Sequence, residues 1–450
     1  MRIPALALAL AILSGCAAYQ AKPLRAPALA ALKSPSHRAL AAAARTLRVP
    51  GLVSLPLDFR KPLTGKDLGV IAVIANPSLR ALRARERIAR AQVFAAGLLP
   101  DPVVQFSALK PYGVGSAGRS LALSDGFLWD LSRLVTRSTD IRMARERAAS
   151  VRYNVAWREW VAANEARLAA RQVYWLGAEW RIARKASALL GNHDQVLARD
   201  ARRRLIGDRQ LLFFQAAQDA LRMKAQALHR ALKAARITLN GQLGLPPWAT
   251  LRIARPTRLR GVAGAPRSLF HRAVSRRLDL VALVAAYHSA DQALLRAVLD
   301  QYPRLSLGAA GARNSSGLSE AGLQLSVVVP LFNANRGAVA IARARRAALF
   351  KDYVARLAEA RAQIYQLDAA QASLDRELAG LKGRRTRLAR TARAAGTAWT
   401  AHALGLVSYL TLMQELTAVE LKMTALRLSR AATTLALVTA TARPWSGGRS

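Results

Sequence analysis

The residues of this chain with types and spacing suited to chemistry are few. The run Gly113-Val114-Gly115-Ser116-Ala117-Gly118 fits G-x-G-x-x-G, and Asp140 lies about twenty residues further on. In a dinucleotide site such glycines let the backbone approach a pyrophosphate at a helix N-terminus, and the carboxylate holds a ribose hydroxyl. Here the segment after Gly118 alternates as a strand, so the run reads as a hairpin loop. The six histidines, His37, His193, His229, His271, His288 and His402, include no i, i+4 pair and no HExxH. No metal site is expected from them. Met413 and Met423 fall on an apolar helical seam, where packing accounts for them. Asp279 and Asp300 do not form a paired-carboxylate arrangement, and no Ser/His/Asp constellation is visible in the sequence. No catalytic residue and no cofactor are expected; the chain reads as something other than an enzyme.

The one cysteine, Cys16, follows an apolar run from Ala5 to Leu13 and the small residues Ser14-Gly15. That run is too short to remain as a membrane-spanning helix. Leu13-Ser14-Gly15-Cys16 resembles a bacterial lipoprotein signal, in which the cysteine becomes the lipidated first residue. A single cysteine also forbids an internal disulfide.

The net charge is +43 over 450 residues, a value that invites a nucleic-acid reading. Its distribution argues against one. Arginines are scattered through nearly every helical stretch among alanine and leucine. The densest run, Gly383-Arg384-Arg385-Thr386-Arg387-Leu388-Ala389-Arg390, lies inside a helical pattern without stacking aromatics. No nucleic-acid partner is expected.

The elements come in two matched sets. In the first, Asn76-Pro77 interrupts a helical pattern that begins near Lys66 and resumes to Gly97. Val104, Phe106 and Ala108 then alternate with polar or small residues, as do Leu121 and Leu123. In the second, Leu305, Leu307 and Ala309 alternate, followed by Leu323, Leu325, Val327 and Val329. Period two with one apolar face is what a lipid-facing barrel wall needs. The Gly- and Ser-rich stretches 112–119 and 313–320 serve as hairpin loops. Long helical patterns follow each strand pair. One, from Thr139 to about Arg204, spans roughly 65 residues, or about 100 Å. In the other half, positions from Phe350 to Leu388 and from Leu412 to Leu437 keep a three-four spacing that argues for coiled-coil packing. Turns are expected near Gly207 and Gly405, where glycine permits the chain to turn back.

The expected organisation is a signal segment (1–16), an N-terminal tether with a first packing segment (17–68) and a first repeat (69–247). The first repeat holds strands near 102–130 and a helical hairpin near 136–244. A connector (248–266) leads to a second repeat (267–443), with strands near 303–330 and a hairpin near 335–440, and then a tail (444–450). Four strands cannot close a barrel, and open sheet edges cannot sit in lipid. Several copies must therefore share one barrel.

At this level the chain resembles the TolC-like outer-membrane factors, the exit ducts of bacterial efflux and type I secretion systems. The likeness is carried by Ala75-Asn76-Pro77-Ser78-Leu79-Arg80, Gly97-Leu98-Leu99-Pro100-Asp101-Pro102 and Leu239-Asn240-Gly241-Gln242-Leu243-Gly244-Leu245-Pro246-Pro247. In the second half it is carried by Val329-Pro330-Leu331-Phe332-Asn333, Asn335-Arg336-Gly337 and Gly405-Leu406-Val407-Ser408-Tyr409-Leu410. The resemblance implies an α+β membrane protein. It would be a homotrimer with a 12-stranded outer-membrane β-barrel, four strands per chain, continuous with a long periplasmic α-helical coiled-coil barrel. It implies a periplasmic adaptor and an inner-membrane pump as partners, while the signal read at Cys16 adds a lipid anchor in the outer membrane. The strand-to-helix junction Pro330, Leu331, Phe332 and Gly337 is similar to the branch serving heavy-metal efflux pumps. The hairpin tips, with Gly207, Asp208, Arg209, Gly405, Ser408, Thr411 and Gln414, would form the periplasmic entrance. Members of the family carry two acidic residues after the second tip glycine that form a cation-attracting ring. The matching positions here, Thr411 and Gln414, are uncharged, which implies an entrance that favours anions or discriminates little. The competing reading is a soluble periplasmic coiled-coil lipoprotein, a scaffold or adaptor without a membrane barrel.

Overall fold

The computed structural model describes residues 19–32, 35–52, 55–113, 120–204, 206–259, 261–401 and 403–445. Cys16, His402 and positions 114–118 of the glycine-rich run lie outside the described residues. The chain forms two units. The first, up to Ser36, contains helix α1 (Arg25–Ala31). The second begins at His37. It opens with α2 (His37–Arg45), α3 (Gly65–Ala75), α4 (Pro77–Ala96), β1 (Val103–Leu109), β2 (Ala122–Asp130), α5 (Ser132–Gly191), α6 (Asp194–Arg202) and α7 (Asp208–Gln242). It continues with α8 (Pro266–Arg276), α9 (Leu278–Leu299), β3 (Arg304–Arg313), β4 (Ser319–Val328), α10 (Arg336–Thr400) and α11 (Leu406–Ala440). The halves match in element length: α3 and α8 have 11 residues each, and α7 and α11 have 35 each.

The four strands form one antiparallel sheet in chain order. Its register places Phe106 opposite Asp125 and Val104 opposite Phe127, then Phe127 opposite Ala309, and Ala309 opposite Leu323. Directly paired residues share a face, so Val104, Phe106, Leu123, Phe127, Leu305, Leu307, Leu323, Leu325 and Val327 lie together on one apolar face. Gln105, Ser107, Ser124, Ser306, Gln324 and Ser326 lie on the other. The alternation expected of each strand is thus coherent across all four, except that Asp125, opposite Phe106, and Arg313, opposite Leu123, place charges on the apolar face. Gly308 is required on the polar face, where a Cβ would come within 1.8 Å of the Phe127 carbonyl oxygen.

Each strand continues a helix. α4 leads into β1, β2 into α5, α9 into β3 and β4 into α10. Near the sheet the helices pack in the same order as the strands, α4 on α5, α5 on α9 and α9 on α10. Further along, α7 packs on α5, α5 on α11 and α11 on α10. The long helices α5 and α10, of 60 and 65 residues, belong to both rows; they reach about 90 and 100 Å. Among the described residues no helix is long and apolar enough to cross a membrane.

The first long helix differs from the expected Thr139–Arg204. It starts earlier, because Asp130 Oδ1 accepts the N–H groups of Ser132 (3.0 Å) and Arg133 (3.4 Å) and satisfies donors a helix start leaves open. It breaks at Asn192-His193 before α6. Gly191 and Asn192 are poor helix interior residues, so the break falls where propensity is lowest. The three-four seam of the second hairpin holds: Ala360, Ile364 and Leu378 of α10 and Val419, Met423 and Leu437 of α11 are buried. Two positions placed on that seam by spacing are instead exposed: Phe350 at its start, and Arg385, which is paired with Glu420 at 2.9 Å. Arg384–Glu415 (3.3 Å), Glu377–Lys422 (2.8 Å) and Asp375–Arg430 tie the same two helices.

A collar of apolar residues surrounds the middle of α5. α3 is buried on nearly every side, with Leu68, Val70, Ile71 and Val73 inaccessible, as an all-apolar helix must be. A capping box starts it: Thr64 N–H donates to Asp67 Oδ2 (2.8 Å) and Asp67 N–H donates to Thr64 Oγ1 (3.3 Å). Asn76 caps α4 through Ser78 N–H (2.9 Å) and donates from Nδ2 to the Gln242 carbonyl (2.9 Å). Two separate sequence motifs therefore meet at one joint. Residues expected as tether and tail supply part of the collar. Leu40, Ala44, Leu57 and Leu63 pack into it, and Leu63 bridges Ile253 of the connector. Trp445 is 5% exposed and donates from Nε1 to Asn164 Oδ1 (3.3 Å), so its ring is buried while its one polar atom is satisfied.

Across the repeat, Arg277 is 1% exposed, paired with Asp279 at 2.8 Å and placed over the Trp157 ring at 4.9 Å. Arg356 holds the same carboxylate at 2.8 Å. Burial pushes the Asp279 pKa up, but hydrogen bonds and charge from Arg277, then Arg356, outweigh it and hold the carboxyl below its ordinary value. A group with a depressed folded pKa contributes stability above its unfolded pKa and loses it as pH falls through the folded one.

Two outcomes are expected. Gly244 has φ +63°, and a Cβ there would lie 2.3 Å from the Ala75 carbonyl oxygen. Gly244→Ala should lower stability by at least ~2 kcal/mol, read as a fall in the thermal midpoint of helical circular dichroism. Asp279→Asn, which leaves Arg277 buried without its partner, should cost about 3 kcal/mol at neutral pH. The gap from wild type should narrow only as pH falls below the ordinary Asp value of 3.8; thermal melts of both proteins across the acid range measure it.

Candidate functional site

The structure brings the two hairpin tips to one end of the molecule. Leu190, Leu197, Phe214 and Ala217 of the first hairpin share a cluster with Ala395, Leu406, Tyr409 and Leu410 of the second. Trp399 stacks on Tyr409 with centroids 4.9 Å apart and planes 4° apart, and His193 meets Trp399 edge-on at 4.5 Å. Burial lowers the His193 pKa and raises that of Tyr409. These aromatics join the jointed tip of the first hairpin to the continuous second. Their packing together was not read from the sequence; the signal was Trp399 and Tyr409 flanking a turn.

Around this cluster lie the expected entrance residues. Gly207 and Gly405 are the N-caps of α7 and α11, with φ −75° and −68°. A Cβ on either would meet nothing within 4 Å. Neither glycine is therefore needed to reverse the chain, contrary to expectation. Among the described residues of the first turn, Arg204 is the left-handed one, with φ 59°. Asp208, Arg209, Ser408 and Thr411 are exposed and Gln414 half-buried. The Thr411 hydroxyl donates to the Val407 carbonyl (2.8 Å), so it is turned back onto its own helix. Glu415, the nearest acid, is tied to Arg384.

At the strand-to-helix junction the backbone turns through Ala334 and Asn335, both left-handed (φ 42° and 52°). Asn335 tolerates this conformation, and its Nδ2 donates to the Ala297 carbonyl (2.8 Å). Gln301 Nε2 donates to the Ala334 carbonyl (2.8 Å). The turn leaves Pro330 half-buried while Leu331 and Phe332 project, Phe332 at 93% exposure. Gly337 has open space about it. The junction lies far from the tips, at the opposite end of α10.

Between tip and sheet, the four-helix row curls around a groove of about 1420 Å³ lined by α4, α5, α9 and α10. Only the concave side of a row can be lined by its first and last members together. Arg133, Arg137 and Arg147 of α5, Arg296 of α9 and Arg345 of α10 line it, against Asp101 and Asp140. Arg296 Nε donates to Asp140 Oδ1 (3.1 Å), and Arg137 Nε donates to the Gly97 carbonyl (3.0 Å). Among the described residues neither Arg147 nor Arg345 has a carboxylate within ion-pair reach. The sequence signal was the spacing 133, 137, 140, 144, 147, which is one face of a helix. Also among the described residues, no group of three His, Cys, Asp or Glu gathers.

No family profile matches the chain, and no curated protein matches it. Solved structures do. The chain is similar to CusC, in a structure concerned with folding and transmembrane channel formation, at 16% identity and TM-score 0.71, covering 88% of this chain and 96% of that one. It is similar to the CmeC outer membrane channel of Campylobacter jejuni at 11% identity and TM-score 0.74, covering 86% and 87%. It is similar to the MtrE outer membrane channel of Neisseria gonorrhoeae in its open state, at 19% identity and TM-score 0.68, covering 83% and 88%. The chain thus has the fold of these channels over most of its length.

The aromatic cluster generates a test of the tips. Tyr409→Ala should remove stacking and buried area worth ~2–3 kcal/mol locally. Limited proteolysis should then cut faster at residues 400–405 than in wild type, while the collar around Trp445 stays resistant. Equal cleavage rates would show that the tips are held by other contacts.

Proposed function

We propose that this chain is one subunit of an outer-membrane channel, the passive exit duct of a tripartite efflux system. On this reading Cys16 carries the lipid anchor and the sheet spans the outer membrane. The helical rows cross the periplasm, and the tips at Gly207 and Gly405 meet a periplasmic adaptor and an inner-membrane pump that supplies the energy. The chain carries out no reaction of its own. The observation that carries the proposal is a four-stranded sheet with one largely apolar face and two edges that no described strand pairs, continuous strand by strand with a curled helical row. Lipid cannot satisfy bare edges, so a barrel needs further copies.

The helical row favours the same arrangement. Its edge members carry apolar side chains that no described part of this chain covers, Ile88 and Phe94 on α4 and Phe350 and Val354 on α10. A second copy joining α10 of one subunit to α4 of the next would cover both. Three copies, giving twelve strands, are what the family resemblance implies. Leu331 and Phe332 then lie at the inner rim of the barrel, where lipid headgroups meet acyl chains, which suits their exposure.

Single-channel recording in a planar bilayer tests the proposal. The purified protein is expected to run as a heat-resistant trimer in detergent and to give discrete conductance steps. Cysteines placed at 106, 307 and 325 should be shielded from a polar thiol reagent in outer-membrane vesicles. A protein that is monomeric and water-soluble once Cys16 is replaced would return the scaffold reading.

A further inference from the structure

We propose that this duct prefers anions along its helical wall, so that the solutes it passes are small anionic molecules. The inference rests on the channel reading above and adds the substrate class. The concave side of the row faces the axis in any closed ring of copies. On that side Arg133, Arg137 and Arg147 recur along one face of α5, over about fourteen residues or about 21 Å of axis. Arg345 adds a guanidinium from α10 across the groove. The arrangement is a ladder along the path, and identical copies turn each rung into a ring. Rings of arginine in a low-dielectric wall concentrate anions and repel cations.

Most of the carboxylates that would offset this charge are engaged. Asp140 is held by Arg296 at 3.1 Å, and Glu415 near the mouth by Arg384 at 3.3 Å. Asp101, where α4 gives way to β1, and Asp130, 3.6 Å from Arg133, offset two charges at the sheet end of the groove. Thr411 and Gln414 contribute no charge, and Asp208 is followed by Arg209. On the polar face of the sheet Gln105, Ser107, Ser124, Ser306, Gln324 and Ser326 are neutral, and Arg304 and Glu320 balance. Arg147 and Arg345 are exposed, and their charge reaches the groove uncompensated.

Reversal potentials in a potassium chloride gradient test this on the purified full chain in planar bilayers. Wild type is expected to pass chloride several-fold over potassium. The pair Arg147→Gln and Arg345→Gln should bring the ratio several-fold down toward unity, while Arg147→Lys with Arg345→Lys keeps it. The conducting step itself reports that each variant has folded and inserted. A wild-type pore that prefers potassium overturns the inference, even if the Gln pair gives no pore. So does an anion preference unchanged by the Gln pair. In both cases the channel reading stands, whereas a wild-type protein that forms no pore at all defeats that reading.

Discussion

The outer edges of β1 and β4 carry backbone N–H and C=O groups that no described strand of this chain satisfies, and the rest of the architecture follows from where those edges lie. Each strand continues a helix, so sheet order and helix order are the same. β1 ends the sheet where α4 ends the row, and β4 ends the sheet where α10 ends the row. One junction between copies would therefore close both layers at once, along a common axis. From His37 on, the chain is a stave, with bare backbone on its edges near one end and uncovered apolar side chains on its edges further down. Each deficit is of the kind that an identical neighbour supplies.

A stave about 100 Å long needs its helices held in register, and arginine does much of this. The cross-hairpin pairs Arg384–Glu415, Arg385–Glu420 and Asp375–Arg430 fix α10 against α11. Exposed pairs of this kind contribute little stability each; their use lies in choosing one alignment among the sliding alternatives that a three-four seam permits. The buried Arg277–Asp279–Arg356 node works differently. There desolvation is offset by two guanidiniums and an indole face, and breaking it strands a charge. With 26 acidic residues against 69 basic ones, acids committed to these joints leave a large arginine surplus, and part of that surplus faces the groove.

Much of this was legible in the sequence because it depends on period. Alternation at Val104–Ala108 and Leu323–Val329 marked the strands, and their shared apolar face needed only the register to become one surface. The three-four seam marked α10 and α11 for the same reason. The break at Asn76-Pro77 was readable, but the close approach of Gly244 to it was not, since a carbonyl 2.3 Å from a hypothetical Cβ is a tertiary fact. The tip glycines misled in the other direction. Glycine beside a turn reads as left-handed backbone, whereas Arg204 takes that role and Gly207 merely caps a helix. The arginine ladder at 133, 137 and 147 had a visible spacing, but spacing cannot say which side of a curled row is concave.

The duplicated halves are not interchangeable, and the difference lies at the tips. α10 runs unbroken to Thr400, whereas its counterpart α5 stops at Gly191 and resumes as α6. Backbone continuity makes the second hairpin stiff to its end; the break at Asn192-His193 gives the first a joint. His193 sits at that joint and its ring meets Trp399, which stacks on Tyr409. The jointed tip is thus braced against the stiff one through aromatic contacts rather than through charge. Such contacts depend on ring geometry more than on ionic strength. If one tip moves when a partner docks, bending at Asn192 interrupts no continuous helix, while bending the second hairpin would have to break one. The asymmetry of this end is therefore between a jointed first hairpin and a second whose long helix is continuous to Thr400.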